Sequence, residues 1–214
     1  MKLYVYEHCP FCVRARMIFG LKGYPVDVIY LANDDEQTPI GLIGKKMLPV
    51  TVDDVGHATG ESLDIVKNID NIDGQSVLTL PKLCGVEEWI EAYSSIIYKL
   101  AIPRWAYSDF PEFQTINARQ YFIDKKQAVF GSFSALIGDS EVLVAQINQA
   151  LLTLEHLLVS ESTDHKWSPD VILLYPVLRS LSIVKSIVWP DNVDRWRKNI
   201  AGQCGVALHD HIAL

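Results

Sequence analysis

Apolar and polar positions over the first part of the chain switch between a strand rhythm and a helix rhythm. Lys2–Tyr6 is a short run rich in Tyr and Val that breaks at His8-Cys9-Pro10, which predicts a strand ending in a turn. Val13, Met17 and Leu21 then recur at helical spacing until Gly23, and Pro10 suits the first helical turn, where its missing N–H is not needed. Val26–Leu31 reads as a second strand. Asp34 and Asp35 can cap a short helix through about Ile43, Val50-Thr51-Val52 gives a third strand, and a turn at Asp53-Asp54 leads to a fourth over Val55–Ala58. A further helix begins near Glu61-Ser62, with Leu63, Ile65, Val66 and Ile69 as its apolar face.

The rhythm changes after residue 72. Asn71–Lys82 holds an Asp-Gly pair and Pro-flanked polar turns with little periodicity, the mark of a linker. Everything beyond it reads helical: Gly85–Tyr107, Glu112–Gln127, Asp139–Val159, Ser168–Ser186 and Asp191–Gln203. Ser168 can cap the fourth of these, with Pro169 in its first turn, Asp170 at the positive end of its dipole and Pro176 placed to kink it. Trp89, Tyr93, Ile97 and Leu100 follow helical spacing and are expected in packing. The expected architecture is therefore an α/β thioredoxin-like domain over 1–72, a linker over 73–83 and an all-α domain over 84–214.

Composition narrows the function without naming it. The chain is 49% hydrophobic and 21% charged, ordinary for a globular protein, and its Pro and Gly are scattered rather than clustered. The net charge is −7, and both halves are acidic, which argues against docking on nucleic acid or on anionic lipid. Met1–Tyr6 runs straight into a Cys motif without the charged and apolar regions of a signal peptide, and no apolar run approaches the roughly 18 residues a membrane helix needs. The expectation is a soluble cytoplasmic monomer, with neither nucleic acid nor membrane as partner. In that compartment four Cys point to catalysis or metal binding rather than to a disulfide framework.

Cys9-Pro10-Phe11-Cys12 concentrates the chemistry. At i and i+3 on a starting helix two sulfurs can close a disulfide, and the helix N-terminus favours a thiolate on the first. Cys9 is thus the candidate nucleophile, and Cys12, one turn further in, the thiol that attacks a mixed disulfide on Cys9. The competing use, half of a zinc site, needs a second ligand pair, yet Cys84 and Cys204 are isolated and the six His form no recognisable metal or triad arrangement. Cys84 and Cys204 are expected as buried small hydrophobes.

Two further stretches bear on binding. In Leu48-Pro49-Val50 a cis proline would leave the Leu48 backbone N–H and C=O free to pair with an extended thiol peptide, although any loop proline can look this way. Glu61-Ser62 opens a helix whose free N–H groups attract a carboxylate, while Glu61 can face an ammonium group; a plain helix cap explains the pair as well. Lys45 and Lys46 could meet a carboxylate but read more simply as solvated surface lysines.

Together the starting strand, Cys9-Pro10-Phe11-Cys12, Leu48-Pro49-Val50 and Glu61-Ser62 ahead of an all-helical domain resemble the two-domain bacterial glutaredoxins of the glutaredoxin 2 type. Ala15–Lys22, Val86–Trp89, Tyr121–Lys126 and Tyr175–Arg179 carry the likeness across the whole chain. The resemblance implies a glutathione-transferase-like architecture and reduction of disulfides and glutathionylated proteins or small molecules, with glutathione as cosubstrate and no metal. It makes Cys9 and Cys12 the redox pair, and Cys9, Pro10, Phe11, Leu48, Pro49, Val50, Glu61 and Ser62 the glutathione-contacting set, with Pro49 as the cis proline. Phe11 stands where Tyr is common and Leu48 where Val is common, and the loss of a ring hydroxyl should retune the site only modestly. A late-helix capping box of the fold is left half formed, since Ser168 is followed at the third position by Val171. Two other activities fit parts of the pattern: a glutathione transferase conjugating electrophiles, and a non-enzymatic module holding zinc or an iron-sulfur cluster.

Overall fold

A computed structural model describes residues 1–158 and 165–214. Strand β1 (Lys2–Val5) runs into helix α1 (Pro10–Lys22), followed by β2 (Asp27–Tyr30), α2 (Gln37–Ile43), β3 (Val50–Val52), β4 (Ala58–Thr59) and α3 (Ser62–Asp70). The sheet order is β2-β1-β3-β4, with β1 parallel to β2 and antiparallel to β3. Leu3 pairs with Thr51 and Tyr4 with Val50, so β1 is central and its Leu3 and Val5 are wholly buried.

The helical part comprises α4 (Val86–Tyr107), a 3-10 turn at Pro111–Phe113, α5 (Ile116–Phe130), α6 (Phe133–Gly138), α7 (Ser140–Leu157), α8 (Asp170–Leu181), α9 (Asp191–Cys204) and a second 3-10 turn at Asp210–Ile212. Its core gathers Trp89, Ile97 and Leu100 of α4 with Phe113, Phe122, Ile147 and Leu178, and the Trp89 indole N–H donates to the Ala150 carbonyl at 2.9 Å. Tyr93 is half-buried against the same cluster.

A second core lies under the sheet, and it is not built from the N-terminal part alone. Trp167, Val171, Ile172 and Tyr175 from the α8 region, with Ile200 and Cys204 of α9, pack among Leu3, Val13, Met17, Ile18 and Ile65. All of α8 except Leu173 is buried, because it is wedged between α1 and α4. The α1–α9 contact is close enough that a Cβ on Gly20 would lie 1.8 Å from the Cys204 carbonyl oxygen, so only glycine fits there. The segment after α3 is pinned as well: Leu80 N–H donates to Trp167 O, and Trp167 N–H to Val77 O.

Several elements begin or end away from their sequence signals for identifiable reasons. The fourth strand starts at Ala58 rather than Val55, since the Asp53 carboxylate accepts from the Val55 and His57 N–H groups and holds those residues in a turn. The helix expected from Glu112 divides: Pro111–Phe113 is a 3-10 turn, and α5 starts where the Thr115 hydroxyl accepts from Ala118 N–H. Helix α6, not expected, is capped in the same way by Ser132. Val159, the expected last residue of the third long helix, lies outside the described residues. The fourth of the expected helices stops at Leu181, short of Ser186, and Pro176 sits inside it. Its half-formed cap is rearranged: the Ser168 hydroxyl accepts Asp170 N–H at 3.3 Å, and the buried Asp170 carboxylate accepts from Leu83 N–H. On α3, Leu63 is half-exposed while Ile65, Val66 and Ile69 are buried. Among the described residues no helix is long and apolar enough to cross a membrane.

Candidate active site

The chain leaves the central strand at Val5, turns through Tyr6-Glu7-His8, and starts α1 with Cys9 as its N-cap residue: Cys9 C=O accepts Val13 N–H at 3.0 Å, and Pro10 occupies the first helical position. Cys9 is half-buried, Cys12 wholly buried, and neither is in a disulfide. The Cys12 sulfur accepts the Tyr6 N–H at 3.4 Å, which fixes it beneath the turn. Phe11 is 49% exposed and covers the outer side, with the Arg14 guanidinium 4.8 Å above its ring.

The two thiols are pushed in opposite directions. A hydrogen bond from the Cys12 thiol is the largest influence lowering Cys9; burial opposes it, while a positive charge on His8 and the Cys12 and Phe11 N–H groups of the helix start add to it, bringing Cys9 down to about 6. Burial pushes Cys12 well above an ordinary thiol, and the neighbouring Cys9 reinforces this. One sulfur is therefore prepared as a nucleophile at neutral pH and the other keeps its proton.

Leu48-Pro49 is a cis peptide bond. Continuing the β1–β3 register from Tyr4–Val50 places Pro49 and Leu48 beside the Val5–Tyr6 end of β1, where the chain turns toward Cys9. Leu48, Val50 and Cys12 are buried members of one cluster, with Cys9 packed against it. Glu61 is the N-cap residue of α3 with φ 59 and ψ 114, a backbone conformation that a non-glycine residue adopts only under constraint. Its side chain is exposed and pairs with Lys45 at 2.9 Å, whereas Ser62 is buried behind it.

Lys46 departs from the surface role expected of it. Its ammonium donates to the Asn33 carbonyl at 2.7 Å and stands 3.7 Å above the ring of Tyr121 on α5, so it bridges the two parts of the chain. Cys204 is buried, and desolvation pushes its thiol up to about 11, but Cys84 is exposed and does not act as a core residue.

The helical part contributes residues that the sequence pattern did not reveal. Glu112, wholly buried, accepts the Glu7 and His8 N–H groups, each at 3.0 Å, and the His8 ring nitrogen Nδ1 at 2.5 Å. Burial works against its charged form, yet the His8 hydrogen bonds outweigh this and hold the carboxyl below the usual carboxylate range. The His8 ring lies among Tyr6, Trp105, Phe113 and Phe122 at centroid distances of 4.9 to 5.8 Å. From α8, buried Arg179 donates to the Glu7 carbonyl at 2.8 Å and pairs with its carboxylate, which also receives Arg16 at 2.7 Å and Tyr30 at 2.8 Å. Arg179 had a signal, being a lone cation in an apolar helix, where a buried charge needs a partner. Glu112 had none.

Arg14 of α1, Tyr98 of α4 and Lys126 of α5 also feel the Cys9 charge. Desolvation lowers Arg14 and Lys126 and raises Tyr98 to about 12, and the buried Arg14 Nε has no hydrogen-bond partner among the described residues. Among the described residues no group of three His, Cys, Asp or Glu side chains could hold a metal ion.

Two family models match different parts of the chain. The family described as "Glutaredoxin 2, C terminal domain" matches residues 85–213, and "Glutathione S-transferase, N-terminal domain" matches residues 3–76. Glutaredoxin 2 of Escherichia coli (strain K12) is 41% identical over 215 residues, covering 100% of both chains. The solved glutaredoxin 2 of Salmonella typhimurium, in complex with glutathione, superposes with a TM-score of 0.96 at 44% identity and covers 100% of this chain and 98% of its own. A glutathione S-transferase from Sinorhizobium meliloti, 16% identical with a TM-score of 0.64 over 99% of this chain and 97% of its own, shares the fold.

Proposed function

The chain belongs to the glutaredoxin 2 family, and from that premise we propose that Cys9 is the nucleophile and Cys12 the resolving thiol of a dithiol mechanism. The activity is glutathione-dependent thiol-disulfide oxidoreduction. The observation that carries the assignment is the pairing of a half-buried Cys9 brought down to about 6 with a buried Cys12 that keeps its proton.

On a glutathionylated substrate the Cys9 thiolate attacks the glutathionyl sulfur. The substrate–glutathione S–S bond breaks, a Cys9–glutathione disulfide forms, and the substrate leaves as a thiolate that takes a proton from solvent. A glutathione thiolate then attacks the glutathionyl sulfur, yielding glutathione disulfide and returning Cys9, so that two electrons pass from glutathione to the substrate. On a protein disulfide Cys9 first joins the substrate. Cys12 loses its proton, attacks the Cys9 sulfur and releases the reduced protein, and two glutathiones reduce the Cys9–Cys12 disulfide.

Glutathione is placed by the residues around this pair. The free N–H groups at the start of α3 and the Ser62 hydroxyl suit the γ-glutamyl carboxylate, and Glu61 its ammonium in competition with Lys45. Leu48 and Val50 flank Pro49 beside the turn and suit the backbone of the cysteinyl unit, while Pro10 and the exposed ring of Phe11 border the sulfur. The working form is taken as a cytoplasmic monomer divided into 1–72, 73–83 and 84–214, acting on glutathionylated or disulfide-bonded proteins and small molecules.

Trapping tests the assignment. Cys12→Ser incubated with glutathione disulfide should carry one glutathionyl group on the Cys9 peptide by mass spectrometry. An adduct confined to exposed Cys84 would contradict it.

A further inference from the structure

Glu112 stands on the Pro111–Phe113 turn of the helical part, 104 residues along the chain from His8. Three donors converge on it, the Glu7 and His8 backbone N–H groups and the His8 ring, and all belong to the turn that delivers Cys9. Burying a carboxylate is costly unless its acceptor capacity is used. An amide of the same shape would offer one acceptor oxygen and set its NH2 group against one of the two backbone N–H donors, which fall on different carboxylate oxygens. The site therefore calls for a carboxylate with both oxygens accepting. The hydrogen bond also makes Nδ1 the donor, and four aromatic rings hold the imidazole in place.

We propose that Glu112 is a positioning residue for the redox reaction: reaching across from the helical part, it fixes the His8 ring and the Glu7–Cys9 backbone in the arrangement from which Cys9 attacks. This rests on Cys9 being the nucleophile. The groups facing Cys9 are Cys12 and Arg14 of α1, His8 and Tyr6 of the turn, Tyr98 of α4 and Lys126 of α5, with Glu112 bound to His8. The His8 imidazole is among the influences that lower Cys9, and losing the carboxylate removes the acceptor that holds this ring and the two backbone N–H groups of the turn in place.

The test compares wild type, Glu112→Gln, His8→Gln and the double variant by the pH dependence of Cys9 alkylation, read on the Cys9 peptide so that Cys84 does not interfere. Glutathione-coupled turnover of Cys9→Ser is measured alongside. In each single variant the alkylation midpoint should rise by about one pH unit, a tenfold loss of thiolate below the midpoint, and the double variant should be no worse than the singles, because the two residues act as one pair. A wild-type midpoint in Glu112→Gln, even with lowered stability, or effects that add in the double, would overturn the role of Glu112. If Glu112→Gln does not fold, Glu112→Asp, which keeps the charge but shortens the reach to the turn, is read in its place: its midpoint should also rise, and a wild-type midpoint overturns the role. Full turnover by Cys9→Ser would instead overturn the nucleophile itself, so the two failures are distinguishable.

Discussion

Replacing Cys12 with alanine should raise the titration of Cys9 without touching Cys9 itself. The Cys12 thiol donates the hydrogen bond that most lowers Cys9, and since Cys12 stays protonated its removal deletes a donor and not a charge. A hydrogen bond to a charged group contributes about 1.5–3 kcal/mol, and at 1.36 kcal/mol per pH unit that is a rise of about 1 to 2 units. The midpoint should move from about 6 to about 7–8. The sign follows from the depressed value: thiolate is present above the midpoint and lost as pH falls through it, so alkylation at pH 6 should drop roughly 5- to 50-fold. Cys12→Ser keeps an O–H donor in the same place and should stay within about half a unit of wild type. Iodoacetamide rates on the Cys9 peptide between pH 4 and 9 provide the measurement. An unchanged midpoint in Cys12→Ala, or a shift in Cys12→Ser as large as that in Cys12→Ala, would refute the hydrogen-bond account and leave the lowering to the helix start and His8.

Two predictions concern the scaffold that holds the turn. Arg179→Met removes the donors on the Glu7 carbonyl, the Glu7 carboxylate and the Ala207 carbonyl, while Arg16 and Tyr30 still satisfy Glu7. The loss should be near the lower end for a broken buried pair, about 3 kcal/mol. By differential scanning calorimetry that corresponds to a fall in Tm of about 6–12 °C, and a fall under about 2 °C would contradict it. Gly20→Ala should lower the urea midpoint by an amount equivalent to about 1–3 kcal/mol, because the new Cβ meets the backbone carbonyl of Cys204, whereas Gly41→Ala, with open space around it, should not destabilise. Equal midpoints for the two variants would show that α1 and α9 are not in close contact.

What the sequence made legible was what short-range patterns encode. The strand-to-helix passage at Lys2–Lys22 and the three-residue β3 follow from local periodicity and turn residues, and Cys9 and Cys12 stand where that passage places them. Side-chain hydrogen bonds to the backbone were harder to anticipate: Asp53 converts Val55–His57 from strand to turn, and Thr115 moves the start of α5 past Glu112. Glu112 gave no local sign, since its partners lie over a hundred residues away and its meaning comes from tertiary contact alone. The same limit hid the completion of the N-terminal core by Tyr175, Ile200 and Cys204.

The central claim, that Cys9 carries electrons from glutathione to a disulfide, is tested most directly by steady-state reduction of a small glutathione mixed disulfide with glutathione, glutathione reductase and NADPH. Wild type and Cys12→Ser should both turn over, and Cys9→Ser should fall to the rate without protein. Turnover of Cys9→Ser at the wild-type rate would contradict the account.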